Sequence, residues 1–508
     1  MKQLMALGLA AMLVLGGCGE KEEPIIVEPV EEVVELVEPV EEAEEIVEEA
    51  SVPLSVNVAT HDETYYLEGE EDAYLYLQYC DVAVSGDGYE NLKRNVEKWS
   101  AERSEGLKGL YADFQETAET DLQESETFYG YSLYQTVTTA RADDKVLSFR
   151  DDTYQYTGGA HGMFFREGIN FDSQSGKRLA LRDVVSDWDN FSTEATACVV
   201  YHLKESYGEE LFDDYVTSVE AMWEEGVEPT WYLDASSLVI VIPEYLVGPY
   251  SIGTPEIHLS YVDFGHYIKD IYLPGSERCV AILQENQELY LKLPGIYEEV
   301  PLMLQYEWVD EVLNCSLWLG ENEKQLEYFD VLKDAYIVKN ETDVYCLIEV
   351  DMASDDYVTY VYRLTDGVIE EVSMLGASIN QGNINSEEIM MESWVYLLGT
   401  YGGMKNYRFD NNRKLITEDE EYQLLNNSYV LKTTVDLPVL LDETESILPA
   451  GSQMILIATD GESYVKFLIQ ETGQVGILNL QSGESVDYRV VINGMDETEC
   501  FEFLPYAG

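Results

Sequence analysis

The chain has 508 residues, 46% of them hydrophobic and 12% aromatic, an ordinary globular composition at a length that implies two to four domains. Its 29 Lys and Arg face 99 Asp and Glu, a net charge of −70. A field of that sign excludes nucleic-acid binding, repels anionic lipid and draws in cationic proteins and divalent cations, although solubility at a crowded surface explains it equally well.

Lys2, the apolar run Leu4–Leu15 and the close Leu15-Gly16-Gly17-Cys18 follow the order of a bacterial lipoprotein signal: basic start, apolar core, small residues, cysteine. The run falls short of the ~20 residues that a membrane-spanning helix needs. Residues 1–17 are therefore expected to be cleaved and Cys18 to be acylated, mooring the chain to the extracytoplasmic face of the cell membrane. Residues 18–53 read as an acidic Glu/Pro/Val linker, in which Glu28-Pro-Val-Glu-Glu-Val-Val-Glu-Leu-Val recurs with drift from Glu38. Dense like charge and repeated proline make it a stiff, self-repelling spacer. Gly19–Ala50 holds 14 Glu and one Lys, so about −58 of the charge stays on the body that follows.

In that body, Ala73-Tyr-Leu-Tyr-Leu-Gln-Tyr alternates as a strand should, and Asn91–Phe114 spaces Leu92, Val96, Trp99, Leu107, Leu110 and Phe114 as a helix. Strands are expected at Phe128–Thr138 and Lys145–Gln155, one or two helices over Ser192–Trp223, and strands again at Ser237–Ile242 and Glu256–Tyr261. Beyond Cys279 the helical signal fades. Asp334–Lys339, Val344–Val350 and Tyr357–Leu364 form a meander through the turns Asn340–Asp343 and Ser354–Asp356. Short strands near Val435–Leu441, Gln453–Ile457, Tyr464–Leu468 and Gly476–Leu480 suit a small SH3-like barrel. The fold class is thus α+β: an N-terminal antiparallel sheet with packed helices, then an all-β part that includes the barrel. Boundaries are expected at 54–150, 151–274, 275–425 and 426–508.

Seven cysteines are scattered as Cys18, Cys80, Cys198, Cys279, Cys315, Cys346 and Cys500. With Cys18 lipidated, six remain in a compartment that permits disulfides, yet none has a metal-ligand spacing and isolated buried thiols are the simpler state. No P-loop, dinucleotide fingerprint, H-E-x-x-H or G-x-S-x-G occurs. Asp410-Asn411-Asn412 and Ser354-Asp355-Asp356 lack the calcium-loop pattern and read as turns. No metal and no cofactor is expected.

One ordered set of motifs stands out. Tyr154-Gln-Tyr-Thr-Gly-Gly-Ala-His161 precedes Asn170-Phe-Asp-Ser-Gln-Ser-Gly176 and Leu179-Ala-Leu-Arg-Asp183; then come Trp231-Tyr-Leu, Val241-Ile-Pro-Glu-Tyr-Leu-Val-Gly-Pro-Tyr250 and Gly253-Thr-Pro-Glu-Ile257. The set resembles the extracytoplasmic domain shared by RsiV-type anti-sigma factors and PdaC-type peptidoglycan deacetylases, with its usual companion domain ahead of it, over about residues 54–274. The resemblance implies a module that in RsiV-type proteins binds lysozyme and in PdaC-type enzymes accompanies a separate catalytic domain. A deacetylase pattern does not accompany it: His61, His161, His202, His258 and His266 include no H-x-x-x-H pair.

From the residues themselves, Gly158-Gly159 permits a tight, exposed loop that ends in His161. His161 is either a hydrogen-bonding group of a fold-determining turn or part of a site. Glu244, Tyr245 and Tyr250, in a loop flanked by Pro243 and Pro249, have the aromatic and acidic composition of a binding loop, or are half-buried packing. The candidate ligand-binding residues are therefore Gly158, Gly159, His161, Glu244, Tyr245, Pro249 and Tyr250. A non-catalytic surface module for a cationic extracellular protein such as lysozyme, or for cell-wall material, is the leading expectation. An envelope scaffold that grips peptidoglycan through the SH3-like unit comes second. A wall-modifying hydrolase using His161 with Glu244 comes third.

Overall fold

The computed structural model describes residues 52–66, 73–124, 130–224, 226–309, 312–326, 330–352, 356–425, 429–482 and 489–506. The expected signal 1–17, the lipidation site Cys18, nearly all of the linker 18–53 and the Ser354-Asp355 pair lie outside the described residues.

Strands β1 (Ser55–Tyr66) and β2 (Ala73–Ser85) form an antiparallel ribbon. The expected helix is α1 (Glu90–Glu124), which runs on past Phe114. It buries Leu92, Val96, Leu107, Tyr111 and Ala118 beneath the sheet. Because α1 returns the chain to the same edge, β2 and β3 (Tyr131–Asp143) pair parallel, Leu75 opposite Tyr131 through Gln78 opposite Tyr134. The N-terminal sheet is otherwise antiparallel, as expected, and this one parallel pair is the exception; a helical crossover is what a parallel neighbour requires.

From β3 the chain meanders antiparallel through β4 (Val146–Tyr156) and β5 (Met163–Asp172). Helices α2 (Leu181–Val184), α3 (Trp188–Tyr207) and α4 (Tyr215–Ala221) follow. Phe191, Ala195, Val199 and Leu203 recur every four residues on α3 and are buried. They share a core with Leu238, Ile240 and Ile257 of a three-stranded sheet, β6 (Thr230–Leu233), β7 (Ser237–Val241) and β8 (Glu256–Ser260).

The two sheets meet at Gly168 of β5, where a Cβ would lie 1.7 Å from the Trp231 carbonyl oxygen of β6. Glycine is the residue that lets the backbones come this close. Polar rivets surround the contact. Asn170 Nδ2 donates to Trp231 O at 2.9 Å, Ser148 Oγ donates to Asn170 Oδ1 at 2.6 Å, and Leu233 N–H donates to Ser148 Oγ at 3.0 Å.

Residues 51–508 form one compact unit, and the first sheet continues past the expected boundary at 274. Strand β9 (Cys279–Ile282) sits between β3 and a strand from the meander, which gives both edges a partner. Strands β10 (Glu288–Leu291), β11 (Val300–Val309), β12 (Val312–Leu319) and β13 (Asn322–Gln325) make a separate four-stranded sheet. The meander itself is β14 (Val331–Lys339), β15 (Val344–Asp351), β16 (Tyr357–Thr365) and β17 (Val368–Leu375), which complete a ten-stranded sheet.

An eleven-stranded sheet follows. Its first half holds β18 (Ser378–Ile384), β19 (Glu388–Tyr396), β20 (Thr400–Phe409), β21 (Leu415–Ile416) and β22 (Tyr422–Leu424). The second half holds β23 (Leu431–Lys432), β24 (Leu437–Leu441), β25 (Thr444–Leu448), β26 (Gln453–Thr459), β27 (Tyr464–Ile469) and β28 (Val475–Asn479). The strands expected for an SH3-like unit are present, but among the described residues they close no barrel. Strand β26 gives an edge to β22, with Tyr422 opposite Thr459, and the sheet stays open as far as β25.

The six described cysteines are free thiols. Burial pushes Cys80 up to about 11 and Cys279 to about 12, which keeps both protonated and unreactive.

Strand β18 joins the two large sheets through polar side chains. Gln381 accepts from Thr138 Oγ1 at 3.0 Å, and Asn383 both accepts from Val58 N–H and donates to Val58 O, each at 2.8 Å. Asp334 and Glu349, directly opposite one another on β14 and β15, complete the joint. Gln381 donates to Asp334, while Ser378 Oγ and Ile379 N–H donate to Glu349 at 2.9 and 2.7 Å.

Burial pushes Asp334 up to about 6 and Glu349 up to about 7. The folded chain then holds protons that the unfolded chain has already lost, so stability falls as pH rises from the ordinary carboxylate range to about 7 and levels off above it. The melting temperature is expected to drop between about pH 5 and about pH 8, and Glu349→Gln to flatten that drop. Equal drops in the two proteins would refute the assignment.

Candidate functional site

Two loops meet at one end of the first sheet. The first joins β4 to β5. Gly158 and Gly159 take φ values of 86° and 100°, and Tyr156 Oη donates to Gly159 O at 3.1 Å, so the backbone turns sharply and returns as His161. The second joins β7 to β8 and is pinned at several points. Ile242 N–H donates to Pro255 O at 2.8 Å, Phe212 N–H to Val247 O at 2.8 Å and Ile252 N–H to Pro249 O at 3.0 Å. Val247 and Ile252 are buried and act as its apolar anchors.

The sequence places these loops more than 80 residues apart, and the fold brings them together. The His161 ring stacks on Tyr250 with centroids 3.8 Å apart and planes 15° apart. Tyr245 lies at 6.5 Å from the same imidazole and 6.4 Å from Tyr250. His161 Nδ1 is 2.9 Å from Gly162 O, which can only accept, so Nδ1 carries the hydrogen. In the neutral ring Nε2 is then the acceptor for Tyr245 Oη at 3.4 Å. Glu244 turns elsewhere, with Oε2 accepting from Phe164 N–H at 3.2 Å, and so ties the second loop to β5.

Tyr245 holds φ at 64°, a conformation that a bulky residue rarely adopts. The surrounding anchors maintain it, and its ring stays 42% exposed beside Tyr250 at 41%. Gly158, Gly159, His161 and Pro249 are exposed, and Glu244 is half-buried. Of the seven candidate residues, His161, Tyr245 and Tyr250 form one exposed aromatic cluster. Gly158 and Gly159 shape its first loop, Pro249 begins the turn that presents Tyr250, and Glu244 braces the assembly.

Sequence reasoning missed what stiffens the frame behind this cluster. Arg166 of β5 grips Asp152 of β4 through two bonds of 2.7 Å and reaches Glu256 of β8 at 2.9 Å, while Arg150 lies 3.4 Å from Asp152. Such forked pairs between strands fix β4, β5 and β8 with respect to one another. Alternation of Arg150 and Asp152 along a strand of otherwise buried residues was the available signal. Among the described residues no group of acidic, His or Cys side chains could hold a metal ion.

The other motifs are scaffold. Asp172 Oδ1 accepts from Ser175 N–H at 2.7 Å and closes the Asp172–Gly176 turn, whose Gly176 O accepts from Asn95 Nδ2 of α1 at 2.8 Å. Asp183 Oδ2 accepts from Ala180 N–H at 2.9 Å at the start of α2.

The family model described as "Deacetylase PdaC" matches residues 89–164, which include Gly158, Gly159 and His161. That described as "Protein of unknown function (DUF3298)" matches residues 186–262, which include the Glu244–Tyr250 loop. A solved DUF3298-family structure from Bacteroides fragilis is 18% identical with a TM-score of 0.34, over 43% of this chain and 95% of that one. Another, from Pseudomonas aeruginosa PAO1, is 20% identical with a TM-score of 0.32, over 44% of this chain and 98% of that one. No curated protein matches the sequence significantly. Over residues 89–262 the chain thus matches the PdaC and DUF3298 domain pair that its Gly-Gly-Ala-His and Glu-Tyr…Pro-Tyr motifs indicated.

Proposed function

We propose that the chain is a lipid-anchored protein of the cell exterior, moored through Cys18, whose His161–Tyr245–Tyr250 cluster docks a cationic protein, a lysozyme-like wall hydrolase being the sharpest candidate. The observation that carries this reading is the cluster itself: two large tyrosine rings left in solvent on a loop pinned from below. Aromatic anchors held rigid before binding lose little conformational freedom on docking, which is the usual composition of a binding hot spot. The charge of −70 supplies long-range attraction for a basic partner.

Binding rather than bond-making is favoured by how the polar groups are spent. Both ring nitrogens of His161 lie within hydrogen-bond range of neighbours in its own cluster, and Glu244 braces a backbone N–H. Titrating lysozyme into the full chain at about 50 and about 150 mM salt tests the proposal. Saturable binding is expected at both, because a docked interface outlasts screening over ~8–10 Å. Binding at neither salt, or only at the lower, would remove the docking reading; capture by purified wall sacculi instead would reassign the ligand to cell-wall material.

A further inference from the structure

Where β17 hands the chain to β18, at the seam between the ten- and eleven-stranded sheets, a cavity of about 100 Å³ opens. Tyr357 of β16 and Trp394 of β19 give it two aromatic sides, and the turn from Gly376 to Ser378 forms a third. Glu392 of β19 is the one charged group on its wall among the described residues. Trp394 is 42% exposed and Glu392 half-buried, so both stay within reach of a solute.

The fold makes room for this carboxylate and leaves it uncompensated. Gly402 of β20 lies directly opposite Trp394, and a Cβ on it would come within 2.4 Å of Glu392 Oε1. The missing side chain thus lets the carboxylate lie against β20, beside the indole. Leu425 Cδ1 lies 3.3 Å from the same point, so the carboxylate has an apolar neighbour as well. Among the described residues Glu392 accepts no hydrogen bond and enters no ion pair; burial pushes its carboxyl up with no charge to offset it. Lys333 stands over the Tyr357 ring, 5.4 Å from its centroid, but its charge is directed to Asp351 at 4.0 Å and does not act on Glu392.

An unpaired carboxylate beside two aromatic rings in a small recess is the composition that holds organic cations. The other oxygens of the wall are engaged: Ser378 Oγ donates to Glu349 at 2.9 Å, Ser393 Oγ to Gly376 O at 3.2 Å, and Ala377 O accepts from Thr359 Oγ1 at 2.7 Å. A primary ammonium would bring three donors to a wall whose one uncommitted acceptor is Glu392, whereas a quaternary ammonium brings none. We propose that this cavity binds a trimethylammonium head group, which lies against the Trp394 and Tyr357 rings while Glu392 neutralises its charge. The site is separate from the His161 cluster and does not depend on it.

Calorimetric titration of the full chain with choline at about 150 mM salt tests it. The comparisons are the tert-butyl analogue of choline, equal in shape but uncharged, and ethanolamine, equal in charge but with N–H donors in place of methyls. One saturable site is expected for choline, at a Kd of about 1 mM or tighter for so small a ligand. The uncharged analogue should bind at least ~10-fold more weakly and ethanolamine at least ~5-fold more weakly. Phosphatidylcholine vesicles added to the choline titration separate the two sources of such a head group: loss of the choline heat assigns the site to a lipid, and an unchanged heat to a free solute. Glu392→Gln and Trp394→Ala are each expected to weaken choline about 10-fold or more, while Trp308→Ala, at a tryptophan 71% exposed elsewhere, changes nothing. Four results would overturn the proposal: no saturable choline heat, equal binding of the uncharged analogue, equal or tighter binding of ethanolamine, or equal losses at the two tryptophans. The ligand comparison uses the unaltered chain, so it decides the matter even if a variant misfolds.

Discussion

Gly168→Ala is expected to destabilise the chain by on the order of 4 kcal/mol, read as a shift of the denaturant midpoint at unchanged slope. The added methyl would lie 1.7 Å from Trp231 O, well inside contact distance, and the obstacle is backbone that no rotamer change can clear. Ordinary overpacking costs ~1–3 kcal/mol because side chains give way. Here β5 and β6 would have to separate, and the Asn170–Trp231 and Ser148–Leu233 bonds would go with them. Gly159→Ala provides the contrast. Its φ of 100° is unfavourable to alanine, but nothing lies within 4 Å of the new methyl, so about 1 kcal/mol is expected. Equal effects at the two glycines would show that β5 and β6 are not in close approach.

The same contact explains what sequence patterns could and could not reveal. Period-two and helical spacing located β4, β7, β8, β14, β15, β16 and α1, because each element carries its own record of which face is buried. Pairing leaves no such record. The parallel β2–β3 contact and the insertion of β9 beside β3 join segments far apart in sequence, and the alternation of either strand fits several neighbours. For the same reason the strands of the C-terminal unit were legible while its closure was not. A free edge on β26 looks identical in sequence whether it meets β22 or completes a barrel.

The candidate site was legible in a different way. Glycine at a positive φ and proline around an aromatic pair are local signals, and they marked both loops. The stack of His161 on Tyr250 is a product of the fold alone. Arg166, which ties β4 to β8 behind the loops, carries no local signal of its partners, because Asp152 and Glu256 become its neighbours only in the folded chain.

If the aromatic cluster is the docking surface, Tyr245→Ala/Tyr250→Ala is expected to weaken lysozyme binding by about 100-fold at physiological salt, since hot-spot tyrosines are each worth about 2 kcal/mol or more and the pair is not strictly additive. The loss should fall on the dissociation rate. Removing uncharged rings leaves the long-range field of a chain at −70 untouched, and that field governs the encounter. His161→Ala is expected to cost less, about 10-fold, because it removes the ring that Tyr250 stacks on rather than an anchor; it should act by loosening Tyr250. Folding is not at risk in the same degree. Tyr245 and Tyr250 are 42% and 41% exposed, and the loop is held by Val247, Ile252 and backbone bonds that the substitutions leave in place. Surface plasmon resonance on the three proteins at about 150 mM salt separates the rates. An unchanged dissociation rate in the double variant, with the partner still bound, would move the interface away from these loops and leave charge as the only basis for recognition.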